Sequence, residues 1–184
     1  MLLKATDSLL LIVDIQEKLA PAIHDAAAAV ANNRRLLAAA ARLKVPVVVT
    51  EQYVRGLGPT VAELQPWLQD STVDLEKIEK IHFGACGEPG FVTGLQARER
   101  RQIVLTGMET HVCVLQTALG LLAAGFSVAL VADAASSRTP ENKAAAIARL
   151  QAAGAQIVTT EMVIFEWLER AGSDDFRALL PLIR

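Results

Sequence analysis

Ser8–Asp14 reads S-L-L-L-I-V-D, and its apolar side chains run on without alternation. A strand sends successive side chains to opposite faces, so such a run needs cover on both. That is the pattern of a strand inside a parallel sheet, with helices above and below it. The pattern recurs. Val45–Thr50, Gln102–Thr106, Ser127–Ala132 and Gln156–Thr160 read as further strands, and Asp74–Lys80 as a mixed one. Helical stretches lie between them: Ala26–Leu43, Val61–Leu68, Gly90–Glu99, Thr110–Ala124 and Glu141–Ala153. Glu161–Arg170 and Asp174–Leu180 follow as two more helices. Thr60 and Glu63 have the spacing of a capping box for the helix beginning at Val61. Pro140 suits a first helical position, and Gly125 and Gly154 suit helix ends. Glu51–Pro59, Phe83–Gly90 and Ala134–Pro140 read as loops. Strands alternating with helices predict an α/β fold with a parallel sheet and helices on both faces.

The 184 residues are 52% hydrophobic, which suits one compact domain over residues 1–184. The 18 Lys and Arg nearly balance the 20 Asp and Glu, and aromatics are few. That predicts no nucleic-acid partner, because neither a basic footprint nor a stacking platform is visible. No membrane span is expected, since the most apolar stretch, Ala118–Ala135, is broken by Gly120, Gly125, Ser127 and Asp133. Two cysteines, Cys86 and Cys113, make no disulfide framework, and nothing resembles a secretion signal. A soluble, cytoplasmic protein is the expectation.

In an open parallel sheet the ligand site lies at the carboxyl ends of strands, where the strand order reverses. Asp14, Glu51, Lys80, Asp133 and the turn at Gly107 all fall at strand ends in this reading. Gly107–Gln116 reads G-M-E-T-H-V-C-V-L-Q, a strand-to-helix turn that places Cys113 in the first helical turn. A thiol there faces unpaired backbone N–H groups and the positive end of the helix dipole. Both favour the thiolate, the nucleophilic form. The same N–H groups could hold a developing oxyanion. Cys113 could equally be a small core residue among Val112, Val114 and Leu115. Asp14 could equally cap a loop, and Lys80 lies in a charge run with Glu76, Lys77 and Glu79.

An ordered set of short motifs resembles the isochorismatase-like cysteine hydrolases along nearly the whole chain. The set comprises L-L-I-V-D-I-Q at Leu10–Gln16, T-E-Q-Y at Thr50–Tyr53, G-L-G-P-T at Gly56–Thr60 and K-I-H-F at Lys80–Phe83. It continues with G-M-E-T-H-V-C-V at Gly107–Val114, V-A-D-A-A-S-S-R at Val131–Arg138 and T-T-E at Thr159–Glu161. Within the family the chain is most similar to the isochorismatase domain-containing proteins. The resemblance implies a Rossmann-like, three-layer α/β/α sandwich with a parallel six-stranded sheet. It implies an Asp–Lys–Cys triad of Asp14, Lys80 and Cys113. It also implies a cis peptide between Met108 and Glu109, with the N–H groups of Glu109 and Cys113 as oxyanion hole. A homo-oligomer follows from the same resemblance; the apolar segment Phe176–Ile183 could be a contact or could equally pack on its own domain.

The activity implied is hydrolysis of an amide-like C–N bond in a small molecule, through a thioester-type intermediate. Gln16, Glu51, Gln52, Tyr53, Phe83 and His111 are candidate substrate-binding residues. Asp133, Ser136 and Ser137 read as turn and cap residues, and Cys86 as a loop or core cysteine. Nicotinamidases of the superfamily bind a metal through an aspartate and histidines after the second strand. Here that position reads T-E-Q-Y, and His24, His82 and His111 lack metal-ligand spacing. No metal and no cofactor are expected. Two other readings stay open: an isochorismatase-type ether hydrolase, and a silent hydrolase fold kept as an interaction protein.

Overall fold

The computed structural model describes residues 1–183. Six strands form one parallel sheet: β1 (Ser8–Val13), β2 (Val47–Gln52), β3 (Leu75–Lys80), β4 (Gln102–Met108), β5 (Ser127–Ser136) and β6 (Gln156–Val158). Their order across the sheet is β3-β2-β1-β4-β5-β6. The chain builds outward from β1 in one direction, then returns to β1 and builds outward in the other. The order therefore reverses between β1 and β4, and their carboxyl ends form a crevice there. Val13 pairs with Thr50 on one side and Gly107 on the other.

All six residues of β1 are buried, because the sheet is covered twice. Leu10 and Ile12 enter one core with Val47, Val49 and Val104. That core is roofed by α1 (Ala26–Leu43), α7 (Thr160–Leu168) and α8 (Asp174–Leu179). Leu9, Leu11 and Val13 enter the other with Val48, Ile103 and Leu105. Its roof is α4 (Phe91–Gln96), α5 (Leu115–Ala123) and α6 (Pro140–Ala152). The result is the three-layer α/β/α sandwich with a parallel six-stranded sheet that the sequence pattern and the resemblance led us to expect.

Several boundaries differ from expectation. β2 runs on through Glu51 and Gln52, and within the expected loop Val54–Leu57 forms a one-turn helix, α2. The capping box at Thr60 does not form. Thr60 gives its N–H and its hydroxyl to Oε1 of the buried Glu51, at 2.8 and 2.7 Å. Helix α3 is reduced to Gln65–Leu68. β5 continues to Ser136, so Asp133 lies within a strand, and its carboxylate accepts from the N–H and hydroxyl of Thr160 at the start of α7. The C-terminal segment turns inward: Leu179 is buried, and Phe176, Leu182 and Ile183 pack against the first core. No helix of the described residues is long and apolar enough to cross a membrane.

Candidate active site

Asp14 follows the last residue of β1 and takes a left-handed conformation, φ 52°. Aspartate tolerates that region better than most residues. The carboxylate is fully buried. Its Oδ1 accepts from the Thr50 hydroxyl at 2.7 Å. Its Oδ2 lies 2.7 Å from Lys80 Nζ. Lys80 is the last residue of β3, and its stem is buried across the end of β2. Its ammonium donates to Gln52 Oε1 at 2.6 Å and to the carbonyls of His82 and Phe83 at 3.1 and 3.0 Å. Its contact with Asp14 Oδ2 is ionic and lacks hydrogen-bond direction. Three ammonium protons thus meet four oxygens.

Cys113 lies in a wide π-helical turn, Thr110–Val114, that joins β4 to α5. The Met108–Glu109 peptide before it is cis. Gly107 makes the approach possible: its φ is +118°, and a methyl group there would occupy the Val13 carbonyl. The thiol is 6% exposed. Its titration runs opposite to the helix-dipole expectation. Burial, then the Asp14 charge, push it up to about 12, against a smaller downward pull from Lys80. The resting thiol is therefore protonated at neutral pH, and a base must take its proton before it attacks.

Asp14, Gln52, Phe83, Glu109 and Cys113 line one cavity of about 380 Å³, with Leu19, Leu57, Val112 and Arg138. Arg138 escaped the reading of individual residues. It ends the V-A-D-A-A-S-S-R motif, but nothing local marked it as a pocket residue. Its Nε lies 2.9 and 3.2 Å from the Glu109 carboxylate oxygens, and a terminal nitrogen 2.6 Å from Oε1. Its backbone N–H adds a fourth bond at 2.9 Å. These bonds hold the Glu109 carboxyl below the usual range despite its burial.

Four of the expected contact residues stand outside this lining. Gln16 is fully buried and clamps β2: Nε2 donates to the carbonyls of Gln52 and Gly58, and Oε1 accepts from the Gln52 N–H. Glu51 faces Thr60 and lies 3.2 Å from Lys77. Burial would raise its carboxyl, but the Thr60 bonds and then Lys77 bring it below the usual range. Tyr53 is 55% exposed and packs over Gly56. His111 pairs its ring nitrogen with the Ser137 hydroxyl at 3.1 Å. Cys86 is half-buried, with its thiol 3.6 Å from the Thr117 carbonyl. Among the described residues no three His, Cys, Asp or Glu side chains converge as metal ligands.

A parallel α/β/α sandwich with its pocket at the β1/β4 switch point, walled by an acid and a thiol with an ammonium paired behind the acid, is a hydrolase fold. The chain belongs to the isochorismatase family, for the Isochorismatase domain matches residues 8–162. Isochorismatase domain-containing protein 2 of Xenopus laevis is 38% identical over 177 residues, covering 96% of this chain and 83% of the relative. The solved MAR1 ribonuclease of Caenorhabditis elegans superposes with a TM-score of 0.91 at 34% identity, covering 100% of this chain and 92% of the other. The YcaC protein of Escherichia coli, described as an octameric hydrolase of unknown specificity, gives a TM-score of 0.90 at 26% identity, covering 99% and 90%.

Proposed function

We propose that this protein hydrolyses an amide-like C–N bond of a small molecule, with Cys113 as nucleophile, Asp14 as proton carrier and Lys80 as fixed counter-charge. The meeting of Asp14 and Cys113 in one cavity, with the Lys80 ammonium paired to Asp14 behind its wall, carries the reading. Asp14 takes the thiol proton as sulfur attacks the carbonyl carbon. The N–H groups of Glu109 and Cys113 hold the oxyanion. Asp14 returns its proton to the leaving amine, and water then cleaves the thioester with the same carboxylate as base. Thr50 and Lys80 keep one Asp14 oxygen each, which fixes the carboxylate through both half-reactions.

The worm relative is titled a ribonuclease. In this chain the pocket favours a small molecule. Its exposed guanidinium is bound to Glu109, Leu19, Leu57, Phe83 and Val112 give it an apolar wall, and the formal net charge is −2. Phosphate recognition calls for unpaired cations. The test is a screen of small amides, imides and hydroxamates with product analysis. On a confirmed substrate, Cys113→Ala should lose at least ~10²-fold in kcat/KM, as removal of a group used in the transition state does. Full activity of Cys113→Ala would refute the mechanism.

A further inference from the structure

Three side chains of formal charge line the pocket and a fourth, Lys80, lies behind its wall, and they face one another in opposite-charge pairs. Asp14 faces Lys80 at 2.7 Å, with both side chains fully buried. Lys80 has no proton left for a ligand, since Gln52, His82 and Phe83 take the rest of its donor capacity. Glu109 faces Arg138 through a two-pronged contact, and the Arg138 backbone N–H binds the same carboxylate. One edge of Arg138, Nε with a terminal nitrogen, is thus already filled from within the chain, and its charge is matched there by the Glu109 carboxylate. The rest of the wall is Leu19, Leu57, Phe83 and Val112. At about 380 Å³ the cavity lies toward the small end of ligand sites, which span ~300–1,000 Å³.

A charged ligand brought here would lose its hydration and find each cation of the site already neutralised by a carboxylate of the chain. A neutral ligand would lose little and would cover the aliphatic wall. We propose that this pocket selects an uncharged compound with a short apolar body beside its acyl or amide group, and discriminates against carboxylate-bearing analogues. The inference rests on the reading of Cys113 as the nucleophile that meets that group.

Two alkylating reagents of nearly equal size isolate the charge. Iodoacetamide is neutral and iodoacetate is an anion. Each forms a carbon–sulfur bond with the thiol, expels iodide and releases the thiol proton. Rates at Cys113 are read by mass spectrometry in a Cys86→Ser background, with N-acetylcysteamine as the unhindered reference thiol. The iodoacetamide-to-iodoacetate rate ratio at Cys113 should exceed the reference ratio by ~10-fold or more, as burial of an unpaired charge demands. Glu109→Gln releases Arg138 and should bring the ratio back toward the reference. Arg138→Gln strands the Glu109 carboxylate and should raise it further. A ratio equal to or below the reference overturns the proposal, as does a ratio unmoved by both variants.

The two readings fail separately. Full amide hydrolysis by Cys113→Ala together with the high ratio contradicts the nucleophile and supports the charge selection. Lost hydrolysis in Cys113→Ala together with the reference ratio does the reverse. Should neither reagent label Cys113, NMR line broadening with butyramide and with succinamate reads the same preference. Succinamate binding as tightly as butyramide would then overturn it.

Discussion

Lys80 shows how much can depend on one side chain. Its ammonium is the only charge within ion-pair distance of the Asp14 carboxylate among the described residues. Removing one partner of a buried pair leaves the other uncompensated, at a cost of ~3–5 kcal/mol. Lys80→Met should lower stability by about that amount in urea unfolding, and Asp14→Asn placed on top should recover much of the loss. Independent, additive losses would show that the pair is not coupled. The neighbouring Lys77 reaches Glu51 instead, from a half-exposed position. The local charge run could not separate these two lysines; only the position of Lys80 three residues before Phe83, in the family pattern, did so. Asp14 and Cys113 were legible as residue types at strand ends. Arg138 was not, because its role comes from a partner 29 residues away across the turn.

At the scale of elements, the strand-to-helix junction does the positioning. β4 passes so close to β1 that Gly107 has no room for a side chain beside Val13. Gly107→Ala should cost roughly 2–5 kcal/mol, combining an unfavourable φ with overpacking against backbone. Calorimetry reads it as a lowered Tm, and an unchanged Tm would mean that the β1–β4 approach leaves room for a methyl group. The wide π-helical turn at Thr110–Val114 had no sequence signal, since one extra residue in a turn leaves the apolar period almost intact. The lost capping box at Thr60 has a plainer cause. A local rule gave way to a buried carboxylate nine residues earlier, which needed both donors of Thr60. The core helices, by contrast, followed their periodicity, as α1 does over all of Ala26–Leu43.

Across the whole molecule, the alternation of apolar runs with helices was enough to predict the layers, and the switch-point rule pointed to the strand ends where Asp14 and Cys113 line one cavity. Assembly is a separate matter. Self-association, expected from the family resemblance, has exposed apolar surface to draw on at Tyr53, Ile81 and Phe83. Light scattering at micromolar concentration should give a multiple of the monomer mass; a clean monomer would reject self-association.

The central claim is that Asp14, Lys80 and Cys113 work as one electrostatic unit. The pH dependence of Cys113 alkylation by iodoacetamide, in a Cys86→Ser background, tests it most directly. With the thiol pushed up to about 12, the wild-type rate should climb ~10-fold per pH unit between pH 7 and 10 without a plateau. Iodoacetamide reads the preformed thiolate and needs no general base, so Asp14→Asn, which removes the charge that holds the proton on sulfur, should speed alkylation while amide hydrolysis, which uses Asp14 as base, is lost. Lys80→Met removes the opposing charge and should slow it. Opposite shifts from the two substitutions would establish the coupling; a profile indifferent to both would reduce Cys113 to a buried cysteine and contradict the account.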